Sequence, residues 1–359
     1  MKKVVIVSTV GLGYDGITSV IISYLEAMNK KDLKIFVVST IKSEPEIENR
    51  IKKMDVEIIH LPSRKSDTAK YFFSLVSFIK KNRVDVIHAH GNSATLAIEL
   101  LAGLIGGCKK RIAHSHNTKC ERVRADRMLR PIFNLLYTDA IACGDAAGKW
   151  LFKNDNFIIL KNGRDIQKYT FSLERRKEMR EKYSIEKKLV IGHVGGFNKQ
   201  KNHEFLIDIF RKIKETDNDA VLLLVGDGPL RKEIEASVDD IKTNVVFTGS
   251  VDNVDDYLNA MDCMVLPSLF EGLPLVVIER QINGVPSLLS NNISSECKLT
   301  DTVRFESLDN GPQIWASDVM ELVKVTKRKS ESIRNSRTVK EKGFDIKDNA
   351  NILKKIYLS

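Results

Sequence analysis

Two carboxylates eight residues apart, Glu271 and Glu279, frame the stretch of this chain with the most chemistry: Leu266-Pro267-Ser268-Leu269-Phe270-Glu271-Gly272-Leu273-Pro274-Leu275-Val276-Val277-Ile278-Glu279. A strand-like run, Cys263-Met264-Val265-Leu266, feeds a short loop that carries Glu271. Pro274 suits a first helical turn, where its missing N–H would be unpaired in any case. The pattern therefore predicts a helix starting at Pro274, with Glu279 on its second turn. Unpaired N–H groups among Gly272, Leu273, Leu275 and Val276 can receive a phosphate. Glu271 and Glu279 can accept hydrogen bonds from the hydroxyls of a sugar and of a ribose. Strand, acidic loop and helix start together predict a site for a nucleotide-linked sugar.

Other residues could share in such chemistry. Breaking an anomeric C–O bond builds charge on the leaving phosphate, which must be stabilised without water. Lys201 follows a strand-like run and a short loop, so its ammonium can reach that phosphate. The sole Asp-x-Asp, Asp217-Asn218-Asp219, lies just before a strand, at the end of a sheet where ligands do not bind. It reads as a turn, and metal-free stabilisation is expected. Gly11-Leu12-Gly13-Tyr14-Asp15-Gly16 is a loose G-x-G-x-x-G turn. No acidic residue follows the second strand, where Val37-Val38-Ser39-Thr40 stands, so a dinucleotide is not indicated. His88-Ala89-His90 and His114-Ser115-His116 close two strands, each with both imidazoles on one side. With no carboxylate at suitable spacing, the expectation is histidines bonded to backbone, and no metal ligand is assigned.

These residues need a scaffold of strand ends. Val4–Val7, Ile35–Val38, Ile58–His60, Val84–His88, Ile112–His114 and Ala140–Cys143 read as strands, with amphipathic helical stretches such as Ser19–Met28, Tyr71–Lys81 and Thr95–Leu104 between them. The rhythm pauses at Ile158–Asp165, where Asn162-Gly163 is a turn pair. It resumes with Val190–Val194, Val221–Val225, Val245–Phe247, Met264–Leu266 and Ser287–Leu289. This is the βαβ pattern of an α/β protein with two Rossmann-like, doubly wound parallel sheets.

The same landmarks resemble a known family. The E-x7-E stretch, Val194-Gly195-Gly196-Phe197-Asn198-Lys199-Gln200-Lys201-Asn202-His203, Val225–Leu230, Phe247-Thr248-Gly249, Asn162-Gly163 and Ala113-His114-Ser115-His116-Asn117 stand in the order found in retaining GT-B glycosyltransferases of family 4, especially bacterial exopolysaccharide and capsule members. The resemblance spans nearly the whole chain. It implies an acceptor-binding domain at 1–163, a nucleotide-sugar domain at 164–342 and a last helix, 343–359, crossing back to the first domain, with the two domains facing a central cleft. It implies a metal-independent hexosyltransferase with no cofactor, whose donor, favoured as a UDP-sugar, enters as substrate. The acceptor is expected to be a saccharide or a polyprenyl-pyrophosphate-linked sugar. His116 is placed beside the transferred sugar's O6, with His90 and Gly91 lining the acceptor side. Glu271 is placed on the sugar hydroxyls, Glu279 on the ribose, Val251 at the base and Lys201 on the diphosphate. The loop with Gly13 and Gly16 is expected to cover the donor phosphates and the acceptor. One departure is plain: where the family has an arginine after the strand-end glycine, this chain has Gly196, and loss of a planar bidentate cation is not neutral.

Composition bounds the rest. The 359 residues suffice for two ordinary cores. No apolar run reaches the roughly 18 residues of a membrane span, and Met1-Lys2-Lys3 leads straight into a strand, so a cytoplasmic protein, peripheral on the inner face of the plasma membrane, is expected. Five cysteines without a C-x-x-C predict free thiols. The net charge of +10 lies wholly in residues 1–165, with 27 basic against 17 acidic residues; residues 166–359 hold 30 of each. Arg122, Arg124, Arg127 and Arg130, beside Met128, Leu129, Ile132, Phe133 and Leu136, predict contact with an anionic membrane surface. No aromatic residue interleaves the basic run, so nucleic acid is not expected. The rival readings are a nucleotide-sugar 2-epimerase, a weakly active or non-catalytic GT-B-like partner protein and a histidine metal hydrolase.

Overall fold

The computed structural model describes all residues except 14, 41, 42, 121, 154 and 155. The chain folds into two compact units, one of Met1–Gly163 with Asp345–Ser359, the other of Arg164–Phe344.

The first unit holds a seven-stranded parallel sheet: β1 (Lys2–Ser8), β2 (Leu33–Ser39), β3 (Glu57–His60), β4 (Val86–His90), β5 (Lys110–Ser115), β6 (Asp139–Ala142) and β7 (Ile158–Ile159), in the spatial order β3-β2-β1-β4-β5-β6-β7. Val5, Val7, Phe36, Val38 and Ile87 are buried on one sheet face with Tyr71, Leu75 and Ile79 of the helix Thr68–Asn82. Near-continuous apolar strands are what a sheet covered on both faces requires. β4 runs to His90, two residues beyond the strand expected from the sequence, and pairs with β5 so that His90 lies opposite His114. β7 is a two-residue edge strand, which the sequence pattern assigns to the pause.

The helix Ile346–Leu358 belongs to this unit. Asp345 caps it by accepting from the Lys347 N–H at 2.9 Å. Its buried seam is Ile346, Ala350, Leu353 and Tyr357 at helical spacing. Ile352 points outward and is 44% exposed. Tyr357 is the seam's last member; its hydroxyl reaches His88 Nδ1 at 2.6 Å. Lys110 Nζ donates to the carbonyl of Ile356 at 2.7 Å and so holds the last turn to β5.

The second unit holds six parallel strands: β8 (Val190–Val194), β9 (Val221–Val225), β10 (Val245–Phe247), β11 (Cys263–Leu266), β12 (Ser287–Ser290) and β13 (Val303–Glu306), in the order β10-β9-β8-β11-β12-β13. Its two faces are covered separately. Leu222, Leu224 and Val265 pack with Leu206, Phe210, Trp315 and Val319, while Leu223, Met264 and Leu289 pack with Leu258, Met261 and Val277. β13, Val-Arg-Phe-Glu, has no clear signal in the sequence because it is an edge strand, largely half-buried, with charges at alternate positions.

Both sheets reverse strand order once, between β1 and β4 and between β8 and β11. Open parallel sheets bind ligands outside the carboxyl ends of the strands at such a reversal. The loops leaving β8 and β11 carry Lys201 and Glu271; the loops leaving β1 and β4 carry Gly13 and Gly91.

Candidate active site

In the second unit, the loop after β8 forms a short turn, Lys199–Lys201, started by Asn198, whose side chain accepts from the Lys201 N–H. Three bonds tie this turn to the loop after β11. The Leu269 N–H donates to Gln200 O at 2.8 Å, Gln200 Nε2 to Phe270 O at 2.9 Å, and Asn202 Nδ2 to Pro267 O at 3.2 Å. The lacing aims Lys201 Nζ at Glu271 Oε1, 2.7 Å away. Ser268 Oγ donates to the same oxygen at 2.6 Å, and the Glu271 backbone pairs with Ile293 and Ser294 beyond β12. Lys201 and Glu271 are thus a largely buried ion pair, held from both sides.

The helix that follows is Leu275–Asn283, with Pro274 as its N-cap, one residue later than the start expected from the sequence. No side chain caps it. Pro274 brings no N–H, so the donors at this end come from Leu273, Leu275 and Val276, with Gly272 exposed before them. A Cβ on Gly272 would meet nothing within 4 Å, so open space lies beside Gly272. An uncapped helix start beside a lysine is an anion-binding arrangement.

Glu279 sits on the second turn and is almost buried. Arg164 Nε donates to its Oε1 at 2.7 Å, and the Tyr169 hydroxyl also bonds it. Burial and the Glu279 charge push the Tyr169 phenol well above its usual range, so it remains a donor. The sequence points to Glu279 but to neither Arg164 nor Tyr169.

The ends of β8, β9 and β10 are stitched together. The Gly195 N–H donates to Val225 O at 3.0 Å, Phe197 N–H to Asp227 O at 2.9 Å, and Gly226 N–H to Gly249 O at 3.0 Å. Gly226 has φ +137°, and a Cβ there would stand 2.1 Å from Gly195 O, so only glycine fits. Gly196 differs: an added Cβ would meet Asn198 Nδ2 at 3.4 Å and Asp227 O at 3.7 Å, ordinary distances. Its lack of a side chain is no packing necessity. Arg231, near this loop, is engaged by Asp227 and Glu235. Arg280, directly after Glu279, is buried with no hydrogen-bond partner and lies against Cys263 and Cys297; burial lowers it to about 10. Cys263 opens β11, at the opposite end of that strand from the loop carrying Glu271. Val251 is half-buried and packs against the second-unit core past Gly249. Asp217-Asn218-Asp219 is a turn in which Asp217 accepts from the Asp219 N–H.

In the first unit, Asp15 caps the helix Gly16–Ala27 by accepting from the N–H groups of Ile17 and Thr18 at 2.9 and 3.0 Å. Tyr14 lies outside the described residues. A phosphate at this helix end would meet the Asp15 carboxylate, so the site differs in kind from the uncapped one at Leu275. Gly13 bonds Thr18 Oγ1 at 3.4 Å, and Gly16 has open space where a Cβ would stand.

The four strand-end histidines form one layer, with His88, His90 and His114 buried and His116 half-buried, and their rings bond to one another, not to backbone as expected. His88 Nε2 faces His114 Nδ1 at 3.2 Å, and His90 Nδ1 faces His116 Nε2 at 2.8 Å. The His88 and His114 rings are nearly parallel, 5.3 Å apart; those of His114 and His116 are 4.2 Å apart. Burial, then neighbouring imidazoles, hold His88, His90 and His114 well below the usual range, and burial takes His116 to about 3. All four are neutral at pH 7. The His116 backbone N–H donates to Asn92 Oδ1 at 3.1 Å, and His116 Nδ1 has no partner.

The expected basic and apolar stripe splits. Arg130 is buried, bonded to Asp126 and to the Leu151 carbonyl, and Phe133 and Leu136 are core residues. Arg122, Arg124 and Arg127 are exposed, as are Val123, Met128, Ile132 and Leu135. The error is one of helical phase: a fourteen-residue helix, Val123–Leu136, sends every third or fourth residue inward. Among the described residues no helix is long and apolar enough to cross a membrane.

Both units are Rossmann-like α/β domains built on a parallel sheet whose strand order reverses once. The comparisons with known proteins narrow that description. Residues 188–324 match the model of the family described as Glycosyl transferases group 1, and the chain carries a glycosyl transferase group 1 domain. It is 29% identical to the putative glycosyltransferase EpsF of Bacillus subtilis, over 97% of this chain and 94% of that one. It is 25% identical to the UDP-Gal:alpha-D-GlcNAc-diphosphoundecaprenol alpha-1,3-galactosyltransferase of Escherichia coli, over 80% of this chain and 79% of that one. It is 24% identical to the capsular polysaccharide biosynthesis glycosyltransferase CapH of Staphylococcus aureus, over 92% and 91%. Among solved structures, HepE of Anabaena in complex with UDP and glucose superposes with a TM-score of 0.80 at 16% identity, over the whole of both chains. The fold is GT-B, and glycosyltransferase is the activity class that the sequence matches support.

Proposed function

We propose that this protein moves a sugar from a nucleotide diphosphate sugar, UDP favoured, to a lipid-linked or saccharide acceptor with retention of anomeric configuration, in the synthesis of exopolysaccharide, capsule or a related cell-surface glycan. The observation that carries this reading is the buried Lys201–Glu271 pair beside an uncapped helix start, at the strand-order reversal of the second sheet. Lys201 and the N–H groups around Leu273, Leu275 and Val276 take the charge that builds on the leaving phosphate. Glu271 holds sugar hydroxyls, Glu279 the ribose and Val251 the base. His116, neutral and with Nδ1 unpartnered, meets a sugar hydroxyl. Gly13 and Gly16 border the acceptor.

Retention follows best from front-face substitution. The bond from the anomeric carbon to the phosphate oxygen breaks while the acceptor oxygen bonds to the same face. The departing phosphate takes the acceptor proton. Phosphate stabilisation by Lys201 and helix N–H groups requires no metal. The named acceptor of the galactosyltransferase relative supports the lipid-linked choice, and UDP in the HepE structure supports the nucleotide. The exposed Arg122, Arg124 and Arg127, beside Met128 and Leu135, give the first unit a face for an anionic leaflet.

The test is incubation with UDP-sugars and an undecaprenyl-diphosphate-linked saccharide, with proton NMR of the product. An α-linked product from an α-linked donor is expected. An inverted product removes the front-face mechanism, and epimerised donor formed without any acceptor replaces transfer by 2-epimerisation.

A further inference from the structure

The histidine layer of the first unit has features that transfer chemistry at His116 does not use. One ring nitrogen from each of His88, His90 and His114 lies within 4.8 Å of the other two, and all three residues are buried. His88 and His114 are fully buried and His90 almost so, and their rings face one another across the β4–β5 ladder.

We infer that His88, His90 and His114 form a three-imidazole site for a borderline transition-metal ion, with zinc as the reference case. The closest edge has the right length. Two nitrogens on a tetrahedral ion at 2.0–2.1 Å stand about 3.3 Å apart, and His88 Nε2 is 3.2 Å from His114 Nδ1. Outer contacts suit the tautomers of His88 and His90 that ligation needs. His88 Nδ1 pairs with the Tyr357 hydroxyl at 2.6 Å, and with its proton on Nδ1 the Nε2 lone pair faces His114. His90 Nδ1 pairs with His116 Nε2 at 2.8 Å, and with its proton on Nδ1 the second His90 nitrogen is the ligand. His114 then binds through Nδ1 with its proton on Nε2. Loading replaces the single hydrogen bond between His88 and His114 with two bonds to the ion and releases no proton from a carboxylate or thiol. Three neutral imidazoles select zinc, copper, nickel or iron over magnesium or calcium. The ion would join β4, β5 and, through Tyr357, the C-terminal helix. The inference is independent of the donor site in the second unit.

The full chain, freed of any histidine tag and stripped with a chelator, is titrated with Zn2+ and with Co2+ against a competing chromophoric chelator, and the zinc-loaded protein is examined by X-ray absorption. One ion per chain is expected, with imidazole scattering from three nitrogens at about 2.0–2.1 Å and visible cobalt bands of a tetrahedral site. The variant pair His88→Gln and His114→Gln should lose this binding, while His193→Gln, in the second unit, should keep it. No zinc bound by the wild-type chain, or bound zinc without three-imidazole scattering, overturns the inference. Retention of the same absorption spectrum by the double variant also overturns it. If the double variant fails to fold, the wild-type spectrum alone decides between the two outcomes.

Discussion

Arg164 and Glu279, 115 positions apart in sequence, share a buried hydrogen bond of 2.7 Å. Arg164 directly follows the turn that ends the first unit's main stretch, and Glu279 is the second carboxylate of the E-x7-E pattern. The pair fixes the Glu279 carboxylate in place, so Glu279 has a structural task beside the ribose contact proposed for it.

The first prediction follows from that pair. Removing one member of a buried ion pair costs about 3–5 kcal/mol, so Glu279→Ala should lower the unfolding midpoint of the second unit and also weaken nucleotide binding. Glu279→Gln keeps a hydrogen-bond acceptor but leaves the Arg164 charge uncompensated, so it should recover only part of the stability and less of the affinity. Calorimetry on both variants checks this. Unchanged nucleotide affinity in Glu279→Ala would remove Glu279 from the site and leave it purely structural.

The pairings explain how much of the site is legible in the sequence. Glu271, Glu279 and Pro274 are readable because helix starts and strand ends have local signatures, whereas Lys201 alone reads as a solvated charge and stands out only through the family resemblance. Their partners are not readable. Lys201 meets Glu271 across 70 positions, because β8 and β11 are neighbours only after the chain crosses the sheet. The histidines stand out as pairs, but the register placing His90 opposite His114 belongs to the β4–β5 ladder. Alternation and turn residues reveal both sheets, except for edge strands too short or too charged to look apolar. The basic helix Val123–Leu136 reads as one stripe, whereas its arginines divide between solvent and the Asp126 carboxylate.

Gly196 supplies the second prediction. A Cβ there meets its neighbours at ordinary contact distances, and a guanidinium beside the β8 end would add a charge-assisted contact to a diphosphate. Such contacts contribute about 1.5–3 kcal/mol. Gly196→Arg should tighten nucleoside diphosphate binding by tenfold or more, on the order of 1.4 kcal/mol per decade. Weaker binding on titration of the variant would show that another group already fills the space.

Acid stability gives the third. His203 is buried against Phe197, its nitrogens unbonded, and burial followed by the Lys201 charge lowers it to about 4; His193 is lowered well below the usual range by burial, then by His203. The unfolded chain therefore binds more protons than the folded one between about pH 6.5 and 4. Stability is full above pH 6.5 and falls as the pH drops through that window. His203 alone should contribute a loss of roughly 3 kcal/mol by pH 4. Denaturation of a Trp150→Phe chain, with Trp315 reporting on the second unit, should show this slope. His203→Phe should remove about half of it, leaving the His193 share; an equal slope would mean that His203 titrates normally.

The fourth concerns the exposed arginines. Each basic residue near an anionic leaflet contributes about 1 kcal/mol, so changing Arg122, Arg124 and Arg127 to glutamine should cut flotation with anionic liposomes by up to about a hundredfold in partition constant. High salt should do the same. Equal recovery of wild type and variant would show that this face does not bind the leaflet.

The central claim is that a nucleoside diphosphate binds the second unit through Lys201 and the uncapped start of the helix Leu275–Asn283. Isothermal titration of UDP into the full chain and into Lys201→Ala, both in excess chelator, tests it most directly. The account predicts binding by the wild type without divalent metal, and a loss of at least tenfold in Lys201→Ala, as removal of a charge-assisted phosphate contact requires. Equal affinity in the two proteins, or binding only after a divalent ion is restored, would contradict it.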